Sequence, residues 1–316
     1  MNPFLTAVAF MALGKLIFAT QDVMIKGLST QFPVHQVMVI RCLVALVILF
    51  LVVLITQGTG SFKSKRTGAL LLRGTLLFFA FILFYLGLSS IPLTEATVLF
   101  FTAPFYIVLL SIPLLGEQVG LRRWLGVIAG FIGVLIVLRP EAGSFGIGSL
   151  LPLIAAALYA VSQLMARKLS INDSAAIMTF YANLAYLVLG LTMALVLIPF
   201  SDLSTPDSTL QFLIRPWSMP EGVSLLILLG TGITGAVGFL CTTQAYRISE
   251  ANVIAPFEYI MLVWIAILAY VFLDEVPDGY TLLGSGIIIA AGIYVLKRDE
   301  KKTERPLAYK GISRAR

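Results

Sequence analysis

The chain has 316 residues, 59% of them hydrophobic and only 12% charged, with a mean hydropathy of +0.97. A water-soluble domain carries about 25% charged residues on average, so this composition excludes an ordinary soluble fold and makes lipid the solvent. The net charge of +6 does not imply nucleic acid as a partner. The basic residues sit between apolar stretches and at the C-terminus, where membrane topology places them.

About 20 residues of apolar helix cross a bilayer core, which offers no water to satisfy backbone groups. In chain order, ten segments meet that requirement, at roughly 4–27, 34–56, 70–90, 93–115, 124–138, 147–169, 175–199, 223–246, 251–273 and 280–296. The fifth is short, and the third and fourth are nearly continuous, with Pro92 as the break. A cleavable signal peptide is not expected: residues 1–6 lack a positive charge, and the first apolar run carries Lys15 and Asp22. Residues 201–221, with several Ser, Thr, Asp and Pro, predict an irregular outer loop. Residues 298–316 form a basic tail, expected to be disordered and to rest on anionic lipid.

Lys and Arg fix the orientation, since cytoplasmic loops hold an excess of both. With both termini inside, the inner segments hold Lys63, Lys65, Arg66, Arg73, Arg122, Arg123, Arg167, Lys168, Arg247 and the basic tail. The outer ones hold only Lys26, Arg139 and Arg215, while Lys15 and Arg41 fall within spans. An odd number of spans would scramble this bias. The expectation is an all-α, multi-pass protein of the cell (inner) membrane with cytoplasmic termini. Cys42 and Cys241 lie in apolar runs, where they act as small hydrophobes and not as a disulfide or metal site.

The chain also repeats. Phe18–Leu28 aligns without gaps on Tyr159–Leu169, matching Ala, Met and Leu and pairing Lys26 with Arg167. The fourth and ninth spans both open with Glu-Ala (Glu95-Ala96 and Glu250-Ala251). Both close on an acid, Glu117 or Glu275, followed nine positions later by Gly126 or Gly284. Five spans per repeat is an odd number, so the second half must insert upside down relative to the first, a recurrent plan in transporters. The expected organisation is residues 4–139 as one five-helix repeat, 147–297 as its inverted partner, and the tail.

These features together resemble the drug/metabolite transporter superfamily, in the group with two EamA-type repeats. The resemblance rests on the ten spans, on Leu114-Leu115-Gly116-Glu117 followed by Gly126, Gly130, Gly133 and Val134, and on the run from Ala251 to Trp264. The second half departs by having Leu273-Asp274-Glu275 where the pattern has Leu-Gly-Glu. The resemblance implies a carrier for small metabolites: amino acids, their derivatives, vitamins or cationic compounds. A non-transport membrane protein, such as a channel or a sensory or scaffold component, is the alternative. An intramembrane enzyme would need a nucleophile–base pair, a metal motif or clustered His and carboxylates; a single histidine supplies none of these. No Walker-type phosphate loop occurs, so a gradient is the expected energy source. No cofactor, metal or nucleic acid is expected.

Charges inside spans cost about 2.5–3.5 kcal/mol each, which makes them candidate sites. Lys15, Asp22 and Lys26 project from one face of the first span. Asp22 is either a substrate or proton ligand, with Lys15 as an anion contact, or part of a neutralised structural cluster. Glu258 follows Pro256, whose missing N–H frees a carbonyl. With Tyr259 it would offer a carboxylate and a phenol to a substrate ammonium or a coupled proton. Arg41 is expected to be structural, paired with an acid or with backbone carbonyls, and His35 to be an exposed interfacial residue. Phe18, Tyr85, Tyr159, Gln163 and Trp264 would line an aromatic cavity suited to an amino acid, a sulfonium such as S-adenosylmethionine, or a flat vitamin such as riboflavin. Tyr159 and Gln163 share a face and align with Phe18 and Asp22. Gly126 with Gly130, and Gly230, Thr234 and Gly238, let helices approach closely, within the fold or across a homodimer.

Overall fold

A computed structural model describes residues 3–28, 31–62, 64–90, 93–139, 147–200, 213–273 and 278–303. The elements are α1 (Pro3–Leu28), α2 (Val34–Gln57), α3 (Thr67–Ser90), α4 (Leu93–Phe100), α5 (Ala103–Leu115), α6 (Leu121–Leu138), α7 (Ile147–Leu169), α8 (Ala175–Leu197), α9 (Gly222–Ile248), α10 (Ala251–Ile254), α11 (Ile260–Leu273) and α12 (Gly279–Thr303). Tight 3-10 turns occupy Thr59–Phe62, Ile198–Phe200 and Ala255–Tyr259. Among the described residues nine helical stretches are long and apolar enough to cross a membrane. The segment expected as the tenth span is α12, whose apolar part, Gly279–Tyr294, is shorter.

Two of these stretches are broken helices. The first breaks at Phe101–Thr102, between α4 and α5, where the Thr102 hydroxyl donates to the Leu99 carbonyl at 2.6 Å. Pro104 then sits in the first turn of α5, where its missing N–H is no loss. The second breaks at the 3-10 turn around Pro256, as its sequence predicts. The register that aligns Glu95 with Glu250 brings Phe101 onto Pro256, so the two breaks are equivalent positions of the two halves.

Packing between halves is reciprocal. α1 lies on α9 while α7, the counterpart of α1, lies on α3, the counterpart of α9. α2 with α8 and α6 with α12 join counterparts directly, and α2 on α9 is answered by α8 on α3. Small residues permit this. A Cβ on Gly284 would stand 2.6 Å from the Gly133 carbonyl oxygen, so α6 and α12 touch backbone to backbone. Gly130 faces the ring of Tyr259, which places the GxxxG spacing of α6 inside the fold. Gly284→Val is expected to destabilise the protein by about 1–3 kcal/mol through overpacking, read as a fall in the thermal midpoint of the detergent-solubilised chain.

The ends of the helices are clamped by charge. At one end the Glu117 carboxylate accepts from the backbone of Ala251 at 2.9 Å and Asn252 at 3.1 Å, and from the Asn252 amide. An acid from the first half thereby caps α10 of the second, beside an Arg123–Glu250 pair at 2.9 Å. At the other end Arg139 pairs with Asp278 and lies over the Tyr280 ring. The Asp278 carboxyl is held down to about 2, first by the Thr281 backbone N–H and then by Arg139. Its stabilising contribution is therefore complete above the ordinary value of 3.8 and is lost only as pH falls through about 2. Glu275, residues 201–212 of the outer loop, residues 304–316 of the tail, and the side chains of Lys26 and Glu95 lie outside the described residues.

Three expectations are corrected here. Arg73 is no loop cation: it is 0% exposed within α3. Its guanidinium donates to the carbonyls of Ser162 at 3.2 Å and Met178 at 3.3 Å, and to Thr243 Oγ1 at 3.1 Å. Buried acceptors on three other helices give it the hydrogen bonds that a burial of this kind demands. His35 is buried, because Trp217 covers it and donates Nε1–H to its Nδ1 at 2.7 Å. Helix α12 continues to Thr303, so the first residues of the basic tail are helical.

Candidate functional site

Lys15, near the middle of α1, and Glu258, in the 3-10 turn, form an ion pair of 2.9 Å with both residues buried. The other carboxylate oxygen of Glu258 accepts from the Tyr159 hydroxyl at 2.9 Å and from the Tyr246 hydroxyl. The Lys15 ammonium also approaches the Tyr159 hydroxyl at 3.4 Å and lies 5.5 Å from the centre of that ring. The 3-10 turn at Pro256 carries the acid, which is buried between the helices. Four elements meet on one carboxylate, α1 from the first half and α7, α9 and the turn from the second.

Of the residues expected to form a site, the structure brings Glu258, Lys15 and Tyr159 together, with Gln163 one turn along α7 and 1% exposed, its Oε1 buried without a hydrogen-bond partner. Trp264 closes the neighbouring seam by donating Nε1–H to the Ala12 carbonyl at 2.9 Å. Tyr259 does not join them. Adjacent residues of a 3-10 turn point about 120° apart, and its ring goes instead against Gly130 and Phe101. Tyr246 takes the place expected for Tyr259. Nothing in the sequence marks it, since it lies on another helix and is brought back by the turn at Ser249–Glu250.

A second group lies beyond the first. Asp22 is seven residues along α1 from Lys15, about 10 Å at 1.5 Å per residue. Its side chain is exposed, and it feels the charges of Arg41 and Lys15. Arg41, on α2, is 1% exposed but finds neither an acid nor a carbonyl, against expectation: its Nε and Nη1 are buried with no hydrogen-bond partner. Aromatic faces hold it instead, with the rings of Phe239 at 5.4 Å, Phe81 at 5.6 Å and Tyr186 at 5.9 Å from Cζ. A Cβ on Gly235 would stand 2.7 Å from Arg41 Nε, so α9 has glycine where the guanidinium passes. Phe18 packs edge-on against Phe239 at 5.1 Å. Rings connect the two groups: Phe81 to Tyr85 at 4.4 Å, Tyr85 to Phe84 at 5.7 Å, Phe84 to Phe100 at 4.9 Å and Phe100 to Tyr159 at 5.6 Å.

Comparison with known proteins places this arrangement. The sequence profile of the EamA-like transporter family matches residues 5–139 and again 146–297. An S-adenosylmethionine uptake transporter of Rickettsia felis is 28% identical over 96% of this chain and 97% of its own. A riboflavin transporter of Vibrio cholerae is 30% identical over 92% of each chain. A pseudopaline exporter of Pseudomonas aeruginosa is 24% identical over 94% of this chain and 97% of its own. One solved crystal structure superposes with a TM-score of 0.76 at 17% identity, covering 96% of this chain and 99% of that one, a likeness of fold alone. Two matched repeats spanning nearly all of the chain, on a scaffold of apolar helices with buried charges at its centre, lead to one conclusion: the chain belongs to the EamA-like transporter family.

Proposed function

We propose that the chain is a secondary carrier that moves a small cationic or amphoteric metabolite with a flat or apolar portion, of the kind S-adenosylmethionine represents, by alternating access. Its ten spans form two inverted repeats in the cytoplasmic (inner) membrane, with both termini inside. The reciprocal packing of α1 on α9 and α7 on α3 supports that symmetry.

One observation carries the reading: the buried Lys15–Glu258 pair, closed by Tyr159 and Tyr246, ties α1 of one repeat to three elements of the other. A pair with every charge satisfied holds the helices together. Protonation of Glu258, or capture of its carboxylate by a cationic substrate, would take from Lys15 its counter-charge and weaken the hold of the carboxyl on both phenols. The repeats would then be free to rock about the two broken helices. The paired ring path from Phe81 to Tyr159 offers aromatic faces to a flat or cationic cargo along the way. Relatives that are an S-adenosylmethionine uptake transporter and a riboflavin transporter support a cargo of that character.

The test is flux of a pooled metabolite library into proteoliposomes holding the purified chain, read by mass spectrometry with and without a proton gradient. The expected result is accumulation of one compound class that changes with the gradient. No flux of any compound through folded protein would overturn the reading.

A further inference from the structure

Arg41 poses a problem that the protein does not solve by itself. Its guanidinium is withdrawn from solvent in the membrane-spanning part of α2, and aromatic faces cover its planes. Cation–π contact compensates the charge but leaves the in-plane N–H groups unused. Nε and Nη1 have no acceptor. A buried donor left in this way costs about 1–3 kcal/mol, more when the group is charged, and protein interiors seldom tolerate it. Arg73 gives the contrast within the same molecule: equally buried, it reaches two carbonyls and a hydroxyl.

Asp22 poses the complementary problem. It is an acid in the outer half of α1, exposed, within the electrostatic reach of Arg41, and yet it makes no ion pair or hydrogen bond with any described residue. Arg41 lies seven residues into α2 and Asp22 six residues from the end of α1, so both stand about 10 Å below the connection between these helices. A cation and an anion at equal depth that do not pair with each other leave room for a ligand that pairs with both. Lys15 and Glu258, by contrast, already satisfy one another in this structure.

We infer that Arg41 and Asp22 form the headgroup site of an amphoteric substrate: Arg41 takes its carboxylate with guanidinium N–H groups that have no acceptor within the protein, and Asp22 takes its ammonium. This inference rests on the transport reading above and names the substrate class for it. Planar, two-pronged recognition of a carboxylate is the geometry to which a guanidinium is suited and an ammonium is not. Phe81, Tyr186 and Phe239 fix the guanidinium in place, so little of its freedom is lost on binding. The same rings exclude water, which strengthens the contact.

The experiment uses matched probes that differ only by the carboxylate: S-adenosylmethionine with its decarboxylated form, and methionine with 3-(methylthio)propylamine. Binding is measured on the full-length protein in nanodiscs. The wild type is expected to prefer the carboxylate-bearing member of at least one pair by ~10-fold or more, as a charged hydrogen-bonded contact implies. Arg41→Gln is expected to weaken that member ~10–100-fold while leaving its decarboxylated partner within about threefold, which removes the preference. Arg41→Lys restores only part of it. Asp22→Asn weakens both members alike. Loss of both members alike in Arg41→Gln would assign Arg41 a structural role and overturn the inference. So would binding of riboflavin alone, unaffected by Arg41→Gln. If Arg41→Gln does not fold, the wild-type preference decides by itself, and a preference under about threefold overturns the site. Flux without such a preference would leave the carrier reading standing and remove only this site; absence of all flux would remove the carrier reading.

Discussion

Glu258→Gln is expected to abolish transport and to lower stability at the same time. The carboxylate is 3% exposed and has three donors aimed at it: the Lys15 ammonium and two phenols. An amide of the same shape removes the negative charge and replaces one acceptor with an N–H₂, so the three donors no longer all find an acceptor. Lys15, 5% exposed, is then a buried charge without a counter-charge, a situation that costs about 3–5 kcal/mol. The thermal midpoint of the purified variant should fall accordingly, and flux should drop by at least about 100-fold, the equivalent of roughly 3 kcal/mol. The double change Lys15→Met with Glu258→Leu separates the two effects. With both charges gone the interior has nothing unpaired, so stability should return to within about 1–2 kcal/mol of the parent, while transport stays lost. A Glu258→Gln protein that carries substrate at the parental rate would remove the pair from the mechanism.

Asp22→Asn should do the opposite, leaving the fold alone and damaging function. The side chain is exposed and forms no hydrogen bond with any described residue, so the amide breaks nothing within the protein. It removes only a negative charge from a place where a cationic group would rest. The thermal midpoint should shift little, while the apparent affinity in transport weakens ~10–100-fold, the range of a charge-assisted contact of about 1.5–3 kcal/mol. A fall in stability with transport intact would make Asp22 a structural acid.

Much of this architecture is legible in the sequence. Apolar run length sets the helices, and the paired Glu-Ala and terminal acid signatures mark the repeat. Pro256 announces the second break because a missing N–H has a local and unavoidable consequence. The first break, at Phe101–Thr102, leaves a weaker trace, since Pro104 comes after it and would be tolerated in the first turn of any helix. Partners are harder to foresee than positions. Periodicity puts Lys15 and Asp22 on one face of α1, but it does not say that Glu258 will saturate the first and leave the second open. Adjacency makes Tyr259 the natural companion of Glu258, yet neighbours in a helical turn diverge; the phenols at the carboxylate come from Tyr159 and Tyr246. Arg73 illustrates the same limit. A basic residue near the end of a span satisfies the topology rule whether it faces water or three buried acceptors.

The most direct test of the carrier reading is counterflow. Proteoliposomes preloaded with unlabelled S-adenosylmethionine, or with whichever metabolite the library screen identifies, are diluted into a trace of the labelled compound with no ion gradient. An alternating-access carrier built around the Lys15–Glu258 pair predicts transient accumulation of label above the outside concentration, absent in Glu258→Gln. Equilibration without overshoot would mean that both sides are open at once, and would contradict the account.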